Sequence, residues 1–196
     1  MKLLGKTKKQ IETNSLGMLF SIMCVLYLVT VFVISIVPRD LLTTRDTLII
    51  SESLILVPGI IYLLIRRLNF FEAIGLKKIK IGTFFMTLLV GVLFNFIASF
   101  VNILSQFLVP NTMTQASGSL MSDMSTATLL IMSGVFGPLC EELIFRGIFA
   151  KGYEKAGSVC KAIVVSSLLF GLFHMNLNQF CYAFVLGMLF ALLNKA

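Results

Sequence analysis

The run Leu16 to Val37, LGMLFSIMCVLYLVTVFVISIV, extends for 22 residues without a charged side chain. A helix needs about 20 predominantly apolar residues to cross a bilayer, so this stretch reads as a membrane span. Lys2, Lys6, Lys8 and Lys9 precede it, as they would in a secretory signal. The apolar run exceeds the roughly 7–15 residues of a cleavable signal and no Ala-x-Ala site follows, which points to a retained first helix.

The rest of the chain has the same character. Of its 196 residues, 58% are hydrophobic and 13% charged. Globular domains average about 45–50% and 25%, so there is too little charge here to coat a water-facing surface or to keep a chain disordered. The net charge of +7 does not suggest a nucleic-acid partner, because Lys and Arg form short runs beside apolar stretches. Cys24, Cys140, Cys160 and Cys181 show no CxxC spacing and read as small apolar residues rather than disulfides or zinc thiolates. His174 is the sole histidine, which excludes HExxH and every other two-histidine metal pattern.

Five further apolar runs follow: Thr47 to Ile65, Ile81 to Val109, Thr128 to Ala150, Val159 to Met175 and Gln179 to Leu193, the last two short for spans. The expectation is an all-α, multi-pass transmembrane bundle of about six spans, forming one membrane domain over residues 1–196 with no internal repeat. Positive charge marks alternate connections. Lysines crowd the N-terminal arm; Arg66, Arg67, Lys77, Lys78 and Lys80 follow the second span; Lys151, Lys155 and Lys161 follow the fourth. Arg39 and Arg45 sit beside Asp40 and Asp46, Pro110 to Ala127 has no Lys or Arg, and neither has Asn176 to Asn178. The positive-inside rule then places both termini in the cytoplasm of an integral protein of a bacterial-type plasma membrane.

A charge at the centre of a span costs at least about 2.5–3.5 kcal/mol on insertion scales, so Glu52, Glu141, Glu142, Arg146 and His174 each need a partner or a task. Glu52, between Ser51 and Ser53, is about 8 Å from the start of its run and reads as a structural residue reaching interfacial water. Glu141 and Glu142 would repel each other if both were charged, so one should be neutralised. Arg146 is four residues after Glu142, about 40° round an α-helix, and five after Glu141, about 140°. Arg146 should hold Glu142, leaving Glu141 aimed elsewhere. Pro138 removes a backbone donor and frees a carbonyl near Gly134, a break tolerated in a membrane only beside protein or a wet cavity. A buried Glu–Arg pair that merely fixes helix register is the bland alternative.

Ser167, Gly171 and His174 form a small-residue stripe that allows another helix to approach. Counted from Lys151 and Lys161, Glu141 and His174 lie about 15 Å and 20 Å from the cytoplasmic edge, so modest tilt would bring them level. Asn95, Ser99, Asn102 and Gln106 share one face of the third span, either as hydrogen-bonding glue between helices or as a wall where an extended peptide binds. That run of 29 residues should tilt or project from the bilayer.

Glu141-Glu142-Leu-Ile-Phe-Arg146 and Phe170-Gly-Leu-Phe-His174 resemble the EExxxR and FxxxH motifs of the CPBP family, which groups type II CAAX prenyl endopeptidases with bacteriocin-processing, immunity and abortive-infection-like membrane proteins. The likeness covers about Met132 to Ala196, with residues 128–196 as a partial CPBP core. It implies an intramembrane endopeptidase acting on a membrane-associated or lipidated peptide. Glu141 would be the general base, Glu142 and Arg146 its supporting pair, and His174 the polariser of water or oxyanion. The family's third motif, HxxxN or HxxxD, does not occur in these residues, so its histidine role is unfilled. The expectation is either part of a longer enzyme or a shortened relative without activity. No cofactor is expected. A zinc-dependent variant with Glu141, Glu142 and His174 as ligands carries less weight, because it leans on adjacent glutamates. The rival from another class is a non-catalytic immunity or peptide-binding protein using the same cavity. A transporter is weaker still, without paired repeats.

Overall fold

The computed structural model describes residues 8–38, 41–74, 78–110 and 124–195. Lys2, Lys6, Arg39, Asp40, Lys77, residues 111–123 of the connection without Lys or Arg, and Ala196 lie outside the described residues. The described residues are helical, in the order α1 (Lys8–Ile36), α2 (Thr44–Ile65), α3 (Phe70–Ile74), α4 (Ile81–Gln106), α5 (Thr126–Ala156), α6 (Val159–Phe173) and α7 (Leu177–Leu193). Four of these, α1, α2, α4 and α5, are long and apolar enough to cross a membrane, and α6 and α7 are shorter apolar helices. The chain is an integral membrane protein of the multi-pass helical type.

Short polar residues set the helix starts. Thr43 caps α2 by accepting from Asp46 N–H at 3.2 Å while Asp46 accepts from Thr43 N–H at 3.0 Å. This reciprocal box starts the helix three residues before the second apolar run, which begins at Thr47. Ser125, Ser158 and Asn176 each accept from the backbone N–H three residues on, starting α5, α6 and α7. At the other end of α6, Met175 adopts φ 50°, a left-handed conformation rare for a side chain of this size, and turns the chain straight into α7.

Three boundaries differ from the apolar runs. The first helix begins at Lys8, because its two polar turns continue the same ladder and Glu12 meets Arg66 at 2.5 Å. The third run ends as helix at Gln106, 26 residues long rather than 29. The fourth continues through Lys151 and Lys155 to Ala156, so these two lysines belong to the last turns of α5 and not to a connection.

The core joins α1, α2, α5 and α6. Leu16, Met23, Ile144, Phe145 and Phe149 are fully buried there, with Ile55 and Leu63 from α2 and Phe170 and Phe173 from α6 around them. Aromatic rings provide much of the cross-helix contact, as in Phe20 against Phe149 and Phe173, and Phe145 against Phe170. In contrast, α4 packs on α7 and is otherwise exposed, presenting Phe84, Phe85, Phe96 and Phe100. Such a contiguous apolar surface suits lipid rather than water.

Polar contacts cluster at one end of the bundle. Besides Glu12 with Arg66, Lys151 Nζ donates to the carbonyls of Glu72 and Ala73 at the end of α3, at 2.8 and 2.9 Å, and Lys195 pairs with Glu154. The start of α1 and the end of α7 therefore lie at the same basic end.

Candidate active site

Helix α5 is not uniform. Two π-helical stretches, Met132–Phe136 and Leu143–Ala150, flank a short α-helical turn, Gly137–Glu142, which carries Glu141 and Glu142. A π stretch closes hydrogen bonds five residues apart and often marks a functional site. The first has a visible cause: Pro138 cannot donate one turn back, and Gly137 N–H bonds to Met132 O instead. The second contains Arg146 and has no comparable marker in the sequence.

The two glutamates face different partners. Glu142 Oε1 is 3.4 Å from Arg146 Nη2, and Glu141 Oε1 is 3.9 Å from His174 Nε2. The divergence anticipated for a regular α-helix survives the π stretch between Glu142 and Arg146. Adjacent residues sit about 100° apart on a helix, so two neighbouring carboxylates can address two different helices.

Arg146 is buried, 2% exposed, and its guanidinium lies 4.9 Å from the centre of the Phe170 ring and 6.0 Å from that of Phe190. With no hydrogen bond to its nitrogens among the described residues, ring faces and the Glu142 charge are what offset its desolvation. Phe170 also meets the His174 ring edge-on at 4.9 Å. One side chain thus links the Glu142–Arg146 pair to the histidine. This gives the aromatic residue of the FxxxH pattern a physical purpose beyond packing.

His174 caps the C-terminus of α6 rather than lying within it. Its Nδ1 is 2.8 Å from Phe170 O, which can only accept, so Nδ1–H donates there and Nε2 points to Glu141. Glu141 is 27% exposed and Glu142 37% exposed, so among the described residues the carboxylates open outward rather than into a sealed chamber.

The stripe Ser167, Gly171 and His174 does receive another helix. A Cβ on Gly171 would lie 2.9 Å from Phe180 Cδ2 and 3.1 Å from Phe180 O, and one on Gly187 would lie 3.1 Å from Ser167 Cβ. The α6–α7 hairpin depends on those glycines. The polar face of α4 is brought together less. Asn95, Ser99 and Gln106 are exposed, while Asn102 is half-buried and offers its backbone carbonyl to Asn178 Nδ2 at 3.4 Å. The glue on this helix is Ser105, whose hydroxyl accepts from Asn178 Nδ2 at 2.6 Å. Asn178 is 1% exposed, and nothing in a short Asn-rich connection marks it as the centre of the α4–α7 contact.

Glu52 also departs from expectation. Its Oε2 is buried without a hydrogen-bond partner among the described residues, and the carboxyl faces Gly137 rather than interfacial water. Among the described residues, no three His, Cys, Asp or Glu side chains converge as metal ligands.

No curated protein and no solved structure matches the chain. Residues 123–195, which hold α5, α6 and α7 with both motifs, match the family model described as Type II CAAX prenyl endopeptidase Rce1-like.

Proposed function

We propose that the chain is an intramembrane endopeptidase in which Glu141 activates water against a peptide bond of a membrane-associated or lipidated peptide. The observation that carries this reading is the divergence of the glutamate pair: Glu142 is occupied by Arg146, while Glu141 stands 3.9 Å from the sole histidine. A lone register-fixing pair would not need a second carboxylate aimed at an imidazole.

In the proposed reaction Glu141 takes a proton from water as the oxygen attacks the scissile carbonyl carbon. The C–N bond then breaks and the same proton passes to the leaving nitrogen. Phe170 O holds Nδ1–H, so Nε2 of His174 is left as an acceptor facing Glu141, where it orients and polarises the attacking water. Arg146 and Glu142 act at one remove, because Arg146 braces Phe170 and Phe170 sets the His174 ring. The family description suggests a prenylated CAAX tail as substrate. On α4, Asn95, Ser99, Asn102 and Gln106 offer an extended substrate backbone its hydrogen bonds.

The test is cleavage of a farnesylated CAAX peptide by the protein in proteoliposomes. Glu141→Gln is expected to lower the rate by about 10²–10⁴-fold and His174→Ala by about 10²–10³-fold, with both variants still in the membrane fraction. Full cleavage by Glu141→Gln would overturn the reading and leave a peptide-binding or register-fixing role.

A further inference from the structure

Glu52 sits in the middle of α2 with its neighbours' hydroxyls committed elsewhere. Ser51 Oγ donates to Thr47 O at 2.9 Å and Ser53 Oγ to Ile49 O at 2.7 Å, each within its own helix. Neither serves the carboxyl between them. Glu52 instead crosses to α5, where a Cβ on Gly137 would stand 2.9 Å from its Oε1 and 3.3 Å from Met132 O. A side chain at 137 would push the carboxyl away from that backbone. Glu52 Oε2 is buried without a hydrogen-bond partner among the described residues.

Gly137 and Glu141 are four residues apart in one helical turn, positions whose side chains emerge on the same face about 5–6 Å apart. The Glu52 carboxyl is thereby held on the Glu141 side of α5, and it interacts electrostatically with both Glu141 and buried Cys140. The other groups around Glu141 are Glu142 and Arg146 on its own helix, His174 at the end of α6, and Tyr182 on α7. Arg146, whose charge also reaches Glu141, lies nearest Glu142 and two aromatic rings, and Glu52 is the acid that a second helix adds beside Glu141.

We infer that Glu52 is a positioning residue for Glu141, the two carboxyls forming one charge-sharing pair across the α2–α5 contact. Two carboxyls brought to the same face of one helical turn in a medium of low dielectric do not ionise independently: the second proton leaves against the charge left by the first. Glu52 thus sets the protonation of the proposed base, in the way paired acids do elsewhere. This inference rests on the protease reading only for its functional consequence, since the pair itself exists whether or not peptides are cut.

The experiment is infrared spectroscopy of the carboxyl C=O stretch against pH, on the protein in lipid nanodiscs, with the Glu141 band identified by its loss in Glu141→Gln. In Glu52→Gln the Glu141 band is expected to titrate in a single step, its midpoint lower by about one pH unit. Gly137→Ala, which must displace the Glu52 carboxyl, is expected to move it in the same direction if Glu52→Gln fails to reach the membrane. An unmoved midpoint in the variant measured would overturn the inference. With the farnesylated peptide, the acid limb of kcat/KM should move alike in Glu52→Gln, which a residue needed only for folding would not cause. Absence of cleavage in the wild-type protein alongside a moved infrared midpoint would sink the protease reading and leave the carboxyl pair standing.

Discussion

Arg146 is the residue on which most of the site's geometry turns. A buried guanidinium without hydrogen bonds among the described residues depends on Phe170 at 4.9 Å, so Phe170→Leu should lower stability by roughly 2 kcal/mol, read by thermal unfolding in detergent. Phe170→Tyr, which keeps the ring face, should lose much less. Equal losses in both would mean that the ring acts only by filling space. The spacing of Glu141, Glu142 and Arg146 made their divergence legible in the sequence, because it follows from the turn of a single helix. Glu52 was not legible in that way. Its distance from the end of an apolar run suggested interfacial water, whereas its surroundings depend on which residue of a remote helix, here Gly137, lies opposite. Asn178 escaped for the same reason: its partner Ser105 is 73 residues earlier.

At the level of the helices, the α6–α7 hairpin is the most tightly specified contact. Gly171→Leu would drive its Cβ into Phe180 backbone and ring, at 3.1 and 2.9 Å, and should destabilise the protein by about 1–3 kcal/mol while displacing neighbouring His174. Gly91→Ala on α4, with nothing within 4 Å of its Cβ, should be neutral or slightly stabilising. Thermal unfolding of the two variants side by side checks the pair, and a harmless Gly171→Leu would contradict the close approach. The small-residue stripe announced this contact, and hydropathy announced every long helix. What hydropathy could not announce was the π geometry of α5. Pro138 signals a break in the ladder, but both a kink and a widened turn would answer it, and Leu143–Ala150 contains Gly147 but no proline. The end of α6 falls where the apolar run stops, and there a left-handed Met175 takes the place of the glycine that usually marks such a stop.

For the molecule as a whole, orientation follows from charge. Glu12 with Arg66, Lys151 on the end of α3 and Glu154 with Lys195 define one polar end, and exposed Cys160 lies beside it at the start of α6. A membrane-impermeant maleimide should therefore label Cys160 in inside-out vesicles and not in intact cells, whereas labelling only from outside would invert the topology. The alternation of basic and charge-poor connections carried this information in the sequence, even though Lys151 and Lys155 prove helical. The lateral arrangement of helices was beyond its reach, since lipid-facing and core-facing apolar residues look alike. The account as a whole stands on Glu141 handing a water oxygen to a peptide carbonyl, and isotope incorporation reads that step most directly. When proteoliposomes cleave a farnesylated CAAX peptide in ¹⁸O-water, mass spectrometry should find ¹⁸O in the new C-terminal carboxylate with the wild-type protein and essentially no product with Glu141→Gln. Labelled product forming at the wild-type rate in Glu141→Gln would contradict it.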